Sequence, residues 1–294
     1  MADKKTDLIE RIENSMKSLS KGHKKIAQYI IENYDKAAYM TASILGAEAG
    51  VSESTVVRFA AELGFEGYQQ LQDQIKESRR ARMTSVQRVS SANNRMDKSE
   101  VLDKILMGDA ENIRLTLASV SKDDFEKAVE MILAAKNIYI LGMRSSAILA
   151  DFMSYYFGLL FNNVRLIRPA GGSEIFEHLM KLHEGDVFIA FSFPRYTTGV
   201  VNATEFASKT GAGVIAITDS MSSPIVPHSD VVLTAKSEMA SFADSLVAPL
   251  SLINAMIAYI GKMKHEEVTD TLSRLENVWK EYNVYTSSGE TDAN

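Results

Sequence analysis

Between residues 138 and 263 short apolar runs alternate with longer segments of helical spacing, and few folds accommodate that alternation. The runs are Ile138–Leu141, Val164–Ile167, Val187–Phe191, Val214–Thr218 and Val231–Leu233. Each is rich in β-branched residues and nearly continuous in its apolar character, as strands covered on both faces are. Helical segments separate the first four runs, and a long apolar helix, Ala243 to Met263, follows the fifth, with Ser241 or Asp244 near its cap. Helices over Lys98–Ala118 and Lys122–Leu133 lead into the first run. The pattern predicts an α/β domain built on a doubly wound, mainly parallel five-stranded sheet.

The N-terminal third of the chain reads differently, as helices only. Leu8, Ile12 and Met16, then Ile26, Tyr29 and Ile30, recur at three-to-four spacing, with Ser20 as the N-cap between the two runs. A short helix from Thr41 to Ala49 breaks at Gly50, and Ser52 caps another from Glu53 to Leu63. Gly64 closes it, and Gly67 precedes a last helix from Tyr68 to Arg82. The polar run TSVQRVSSANNRMDKS at 84–99 has almost no periodicity and reads as a linker. The organisation expected is therefore a helical domain over 1–82, a linker over 83–99, an α/β domain over 100–285 and a frayed polar tail over 286–294.

Charge and composition narrow the function classes. The net charge of −6 argues against a protein that coats nucleic acid nonspecifically, but it is uneven. Residues 1–82 carry 13 Lys and Arg against 12 Asp and Glu, so the acid excess lies in the remainder. Any contact with DNA belongs to the N-terminal third. There is no cysteine, which excludes disulfides, cysteine zinc sites and thiol nucleophiles and fits a reducing cytoplasm. The charged first twenty residues hold no secretory apolar core, and no later stretch has the apolar length of a membrane span. The five histidines show no metal-binding spacing, and no nucleotide-binding GxxxxGK[ST] loop occurs, so neither a metal nor a cofactor is expected.

The segment Ser43-Ile-Leu-Gly-Ala-Glu-Ala-Gly-Val-Ser-Glu-Ser-Thr-Val-Val-Arg-Phe59 has the layout of a helix-turn-helix. Gly50 permits the turn, Val51 and Val56 pack the helices together, and the second helix presents Ser52, Ser54, Thr55 and Arg58. Small hydroxyls and a guanidinium near the N-terminal half of such a helix suit base edges and phosphates in the major groove of double-stranded DNA. Glu53 either accepts from cytosine or favours the helix N-terminus. Lys24 and Lys25, with Lys21, Lys76, Arg79 and Arg80, offer phosphate contacts or simply a solvated basic face. The run MTASILGAEAGVSESTVVRFAAELGFEGYQQLQ resembles the N-terminal domain of RpiR/MurR-type bacterial transcription regulators, most specifically at Gly50–Phe59, Leu63–Phe65 and Gly67-Tyr68. Gly46 departs from it, since that family usually has alanine there.

In the α/β domain, a pair of loops stands at strand ends, where open sheets bind ligands. Leu141-Gly-Met-Arg-Ser-Ser146 puts hydroxyls before a helix, a setting suited to an anion, and Phe191-Ser-Phe-Pro-Arg-Tyr-Thr-Thr198 repeats it after the third strand. Together they are expected to line one pocket. They resemble the SIS (sugar isomerase) domain that follows the helix-turn-helix in RpiR/MurR regulators. By that resemblance Ser145 and Ser146 belong to the first sugar-phosphate loop, and Ser192 and Thr197 to the ends of the second. Pro194 and Arg195 replace its usual serine and glycine, costing a hydroxyl, a backbone donor and the permissive glycine. Arg195 and Arg144 can restore anion contacts through forked donors, or serve a subunit interface or ion pair.

The resemblance implies a cytoplasmic, homodimeric or higher-order transcription regulator that binds operator DNA and answers to a sugar phosphate or related anion, controlling carbohydrate metabolism genes. It implies no enzyme. An aldose–ketose isomerase is the alternative, with Glu174, Glu177 and His178 as its best available residues, although the glutamate that isomerases carry after the second loop is replaced by Gly199 and Val200. Asp219 and Ser220 either line the pocket rim or cap a turn. A third reading is an oligomerisation module with a vestigial pocket.

Overall fold

The structure, a computed structural model, describes residues 8–93, 97–168, 174–239 and 241–285, and the expected tail at 286–294 lies outside them. The chain divides into two compact units, mainly residues 1–98 and mainly residues 99–294.

The first unit consists of α1 (Leu8–Ser15), α2 (Lys21–Glu32), α3 (Tyr34–Ala37), α4 (Ala42–Ala49), α5 (Glu53–Glu62), α6 (Tyr68–Arg82) and α7 (Ser85–Asn93). Its core gathers Ile12, Ile26, Ile30, Leu45, Val56, Phe59, Leu71 and Ile75, all fully buried. Caps set the helix starts: Ser20 accepts from the His23 N–H at 3.3 Å, and Thr41 accepts from the Ile44 N–H at 3.3 Å. Gly50 ends α4 in a left-handed conformation with φ of 65°. Gly46 faces the turn so closely that a Cβ there would stand 3.0 Å from the Val51 carbonyl oxygen and 3.3 Å from the Glu53 nitrogen. The helix-interior glycine thus lets α4 and the turn into α5 come together, offsetting its cost of about 1 kcal/mol in helix propensity.

The stretch expected to be a plain linker holds α7. Its start is a reciprocal cap, in which the Gln87 N–H donates to Thr84 Oγ1 at 3.2 Å and the Thr84 N–H donates to Gln87 Oε1 at 2.8 Å. That pairing lets a polar segment without apolar periodicity begin a helix.

The second unit opens with α8 (Val101–Ser119) and α9 (Lys122–Ala134) and continues through β1 (Ile138–Gly142), α10 (Ala147–Leu160), β2 (Val164–Ile167), α11 (Glu174–Leu179), β3 (Val187–Ser192), α12 (Thr198–Lys209), β4 (Gly213–Thr218) and β5 (Val231–Thr234). α13 (Val247–Met263) and α14 (His265–Glu281) complete it. All strands are parallel in the order β2-β1-β3-β4-β5, the five-stranded doubly wound sheet expected. Ile138, Ile140, Ile189, Phe191, Ile215 and Ile217 point to one face, against α9, α10 and α13. Tyr139, Leu141, Phe188, Ala190, Val214 and Ala216 point to the other, against α11 and α12. α13 starts later than its apolar run suggests, with Leu246 in the N-cap position, so neither Ser241 nor Asp244 caps it. Ser245 takes up some of that work, accepting from the Val247 N–H at 3.3 Å while donating to Asp109 at 2.5 Å. Among the described residues no helix is long and apolar enough to cross a membrane.

Tyr68 makes the first unit sensitive to base. Its phenol donates to the Met40 carbonyl at 2.6 Å, and burial pushes its pKa up to about 12. The unfolded chain loses this proton near a pH of about 10, so the stabilisation is complete below that pH and declines as pH rises toward 12. Chemical denaturation of the full chain between pH ~9 and ~11.5 should show a shallower decline for Tyr68→Phe than for wild type. At neutral pH that variant should lose only about 1 kcal/mol, because Gln72 still donates to the Met40 carbonyl, at 2.7 Å.

Candidate functional site

In the first unit the helix-turn-helix places α5 as its second helix, with Val56, Phe59 and Ala60 buried and Ser54 and Arg58 exposed. Ser52 takes the N-cap position in extended backbone, but its hydroxyl does not bond a backbone N–H as a cap would. It pairs instead with the hydroxyls of Ser54 at 2.9 Å and Thr55 at 2.8 Å. The expected side-chain cap is therefore replaced by a small hydroxyl cluster, and the positive helix end is left to an external acceptor. Glu53 is exposed at the first helical position. The Arg58 Nε–H donates to the Ser54 carbonyl at 3.2 Å, which lays the guanidinium along the exposed face.

The basic residues separate into two groups. Lys21, Lys24 and Lys25 are exposed, and the Lys25 ammonium lies 3.8 Å from where a Cβ on Gly50 would stand, beside the turn into α5. Lys76 and Arg79 are engaged within the unit instead, Lys76 with Asp73 at 3.1 Å and Arg79 with Asp35 at 2.6 Å and over the Tyr39 ring. Arg80 lies outside the residues whose side chains are described.

Two residues that the sequence reading did not single out hold the far end of α5. Arg11 donates to the Leu63 carbonyl just past the helix and sits 5.0 Å over the Phe65 ring. The His23 Nδ1 pairs with the Glu62 carboxylate, and its ring packs edge-on against Phe59 at 5.7 Å. A cation at the carbonyl end of a helix also complements its dipole. Their spacing looks only amphipathic in sequence, so nothing local marks them.

In the second unit β1 lies between β2 and β3, which makes the β1–β3 junction the topological switch point of the sheet. Gly142 ends β1, and a Cβ there would fall 2.2 Å from the Ser146 carbonyl oxygen, so the loop can fold back over the strand end only with glycine. Ser146 is buried at the N-cap position of α10, making no side-chain cap, while Ser145 is exposed. Opposite, Ser192 ends β3. Its carbonyl accepts from Thr218 Oγ1 at 2.6 Å, but its own hydroxyl is buried without a hydrogen-bond partner among the described residues. An unmet buried hydroxyl costs roughly 1–3 kcal/mol. Thr197 stands half-buried at the N-cap position of α12, again with no side-chain cap.

Both loop arginines occupy left-handed backbone, Arg144 at φ of 57° and Arg195 at φ of 63°. Arg195 thus takes the backbone conformation that glycine enters most freely. It adds steric strain on the order of 1–2 kcal/mol and a charged, exposed side chain. A cleft of about 230 Å³ opens at the ends of β1 and β2, bordered by Met143, Arg144, Asp151 and Arg168, with Arg168 paired to Asp151 at 2.9 Å. Its walls include none of Ser192, Arg195 and Thr197, so this cleft is not the single pocket expected between the two loops. Glu177 and His178 are exposed on the short helix α11, and Glu174 half-buried. Asp219 and Ser220 are buried after β4, Asp219 near Thr218 and Ser220 bonded to Ser222 at 2.7 Å. Among the described residues no cluster of three or more His, Asp or Glu could hold a metal.

Comparison with known proteins adds two domain matches. The profile of the helix-turn-helix domain of the rpiR family matches residues 6–81, and that of the SIS domain matches residues 131–259. An HTH-type transcriptional regulator of Clostridium perfringens is 28% identical over 232 residues, 77% of this chain and 81% of that protein. The sugar isomerase domain of an RpiR transcription factor from Sphaerobacter thermophilus is 27% identical with a TM-score of 0.58, covering 60% of this chain and 99% of that one. The Vibrio vulnificus NanR protein, complexed with ManNAc-6P, is 20% identical with a TM-score of 0.59, covering 94% of this chain and 98% of that one, and so shares its fold.

The strain at Arg195 has a direct consequence. Arg195→Gly should leave the unliganded protein as stable as wild type or up to about 1 kcal/mol more stable, as read by chemical denaturation. Arg195→Val, with a β-branched side chain at positive φ, should be less stable than either.

Proposed function

The chain belongs to the RpiR-type regulators, joining an rpiR-family helix-turn-helix domain to a SIS domain, and on that premise we propose how it works. It is a DNA-binding transcription regulator that responds to a sugar phosphate or related anionic metabolite and controls carbohydrate metabolism genes. The exposed Ser54–Arg58 face of α5 carries this reading, since polar groups beside an open helix N-terminus serve no packing role and match what a major groove offers. Ser52, Ser54, Thr55 and Arg58 meet base edges and phosphates, Glu53 lies beside them, and Lys24 and Lys25 neutralise phosphates next to the turn.

The effector lies at the β1–β3 junction. Ser145 and Ser146 with the α10 N-terminus take the phosphate, and the unmet Ser192 hydroxyl and Thr197 take hydroxyl or phosphate oxygens from the other side. Arg144 and Arg195 supply the cationic donors that the altered second loop lacks. The ManNAc-6P bound by NanR supports a phosphorylated sugar as the ligand class.

The protein acts in the cytoplasm as a homodimer or higher assembly of the second unit. α8 supports this, because Leu102, Leu106, Ile113 and Leu117 lie on one side of the helix and are 69, 59, 37 and 73% exposed. A symmetric dimer reads a palindrome with half-sites about one helical turn, roughly 34 Å, or a multiple of it apart. Ligand alters reading to the extent that it binds one arrangement of the dimer better than another.

Selection of genomic fragments with the purified protein at fixed salt should enrich a palindromic site, and Arg58→Ala should weaken its binding roughly 10- to 100-fold. Saturating sugar phosphate at ~100 times its dissociation constant should add about 2.7 kcal/mol of stability, and Ser192→Ala should reduce that gain. Failure to enrich any site with folded protein, together with aldose–ketose turnover lost in Glu174→Gln, would transfer the reading to an isomerase.

A further inference from the structure

The outward face of α5 contains one residue that neither packing nor helix propensity explains. Residues three, four and seven apart share a side of a helix, and the exposed positions Ser54, Val57, Arg58 and Ala61 follow that spacing. Val57 is 43% exposed there, while its neighbour Val56 is fully buried with Phe59 and Ala60. A β-branched residue in mid-helix loses side-chain freedom and favours the helix less than alanine does, so an exposed valine contributes nothing to α5 that a smaller residue would not. Its rigidity is useful in another respect. In a helix one valine rotamer dominates, which holds its two methyl groups in a fixed position on the exposed side, beside the Ser54 position one turn before it.

In the major groove one base edge answers a fixed apolar group: thymine, whose C5-methyl distinguishes it from every other base. We propose that Val57 is a specificity-determining residue that reads the methyl group of one thymine in each operator half-site, next to the polar contacts of Ser54 and Arg58. The inference rests on the DNA-reading function proposed above and assigns it a base preference.

The test separates the methyl contact from DNA binding as a whole. Each thymine of the selected operator is replaced in turn by deoxyuridine, which removes the C5-methyl and nothing else, and the duplexes are titrated with full-length wild type and Val57→Ala at one salt concentration. Since Val57 is exposed and alanine is the better helix former, the variant should fold with a melting midpoint at or above that of wild type. At one thymine per half-site, wild type should lose about fourfold in affinity, the equivalent of one methyl-sized apolar contact. Val57→Ala should bind the thymine duplex about as weakly as wild type binds the uracil duplex, and lose nothing further on the exchange. If wild type binds its operator but is indifferent to every thymine methyl, or if Val57→Ala is as sensitive as wild type, the assignment is wrong while the regulator reading stands. If no operator is enriched at all, both are overturned.

Discussion

Everything in the second unit depends on β1 pairing in parallel with both of its neighbours. Parallel strands need crossovers, and crossovers of one hand place their helices on opposite faces when the chain moves first to one side of β1 and then to the other. The two apolar clusters record this, one built with α9, α10 and α13 and the other with α11 and α12. Because α10 and α12 lie on opposite faces, the loops after β1 and β3 diverge, although Gly142 pairs with Phe191 in adjacent strands. A crevice between them is a consequence of topology, not of any particular side chain. Side chains decide only what it holds, and there the narrow condition is Gly142, without which Ser146 could not lie over the strand end.

The two left-handed arginines sharpen this division between backbone and side chain. A positive φ at a non-glycine residue survives only where the surroundings over-determine the loop. At both Arg144 and Arg195 the loop follows a fully buried strand and leads into a helix, so its course is imposed from both ends. The sequence gained two guanidiniums there at the expense of strain, and neither side chain is buried.

The sheet was legible because its strands are buried on both faces and so read as unbroken apolar runs. β2 coincides with Val164–Ile167, and the other strands differ from their runs by a residue at one end or the other. Ser20 and Thr41 were legible as boundaries because capping is local chemistry. α7 had an equally local signal in Thr84 and Gln87, three residues apart, which the absence of apolar periodicity obscured. α13 starts four residues later than its apolar run because such a run does not say where a helix begins, and its N-cap position falls on Leu246, with the Ser245 hydroxyl just before it accepting from the Val247 N–H. In the candidate sites, residue types in the loops could be read directly, but the Ser192 hydroxyl, unmet among the described residues, and the ion pair of Arg79 are properties of three-dimensional neighbours. Arg79 meets Asp35 across 44 residues of chain, a distance over which no pattern in one sequence carries information.

The same long-range logic explains why a reading helix needs so much chain before it. α5 has 10 residues, fewer than the roughly 12–15 that an isolated helix needs even with favourable composition, so its shape is borrowed from what it packs against. Its buried side is met by α2, α4 and α6, and its C-terminal end is held by Arg11 from α1 and His23 from α2. The match to the rpiR-family domain accordingly begins at residue 6, well before the helix-turn-helix itself. A helix clamped on its inner face and at its end has little freedom to reshape its outer one. For the DNA-reading role proposed above, control of such a surface is therefore better exerted on where the whole unit is presented than on the geometry of α5.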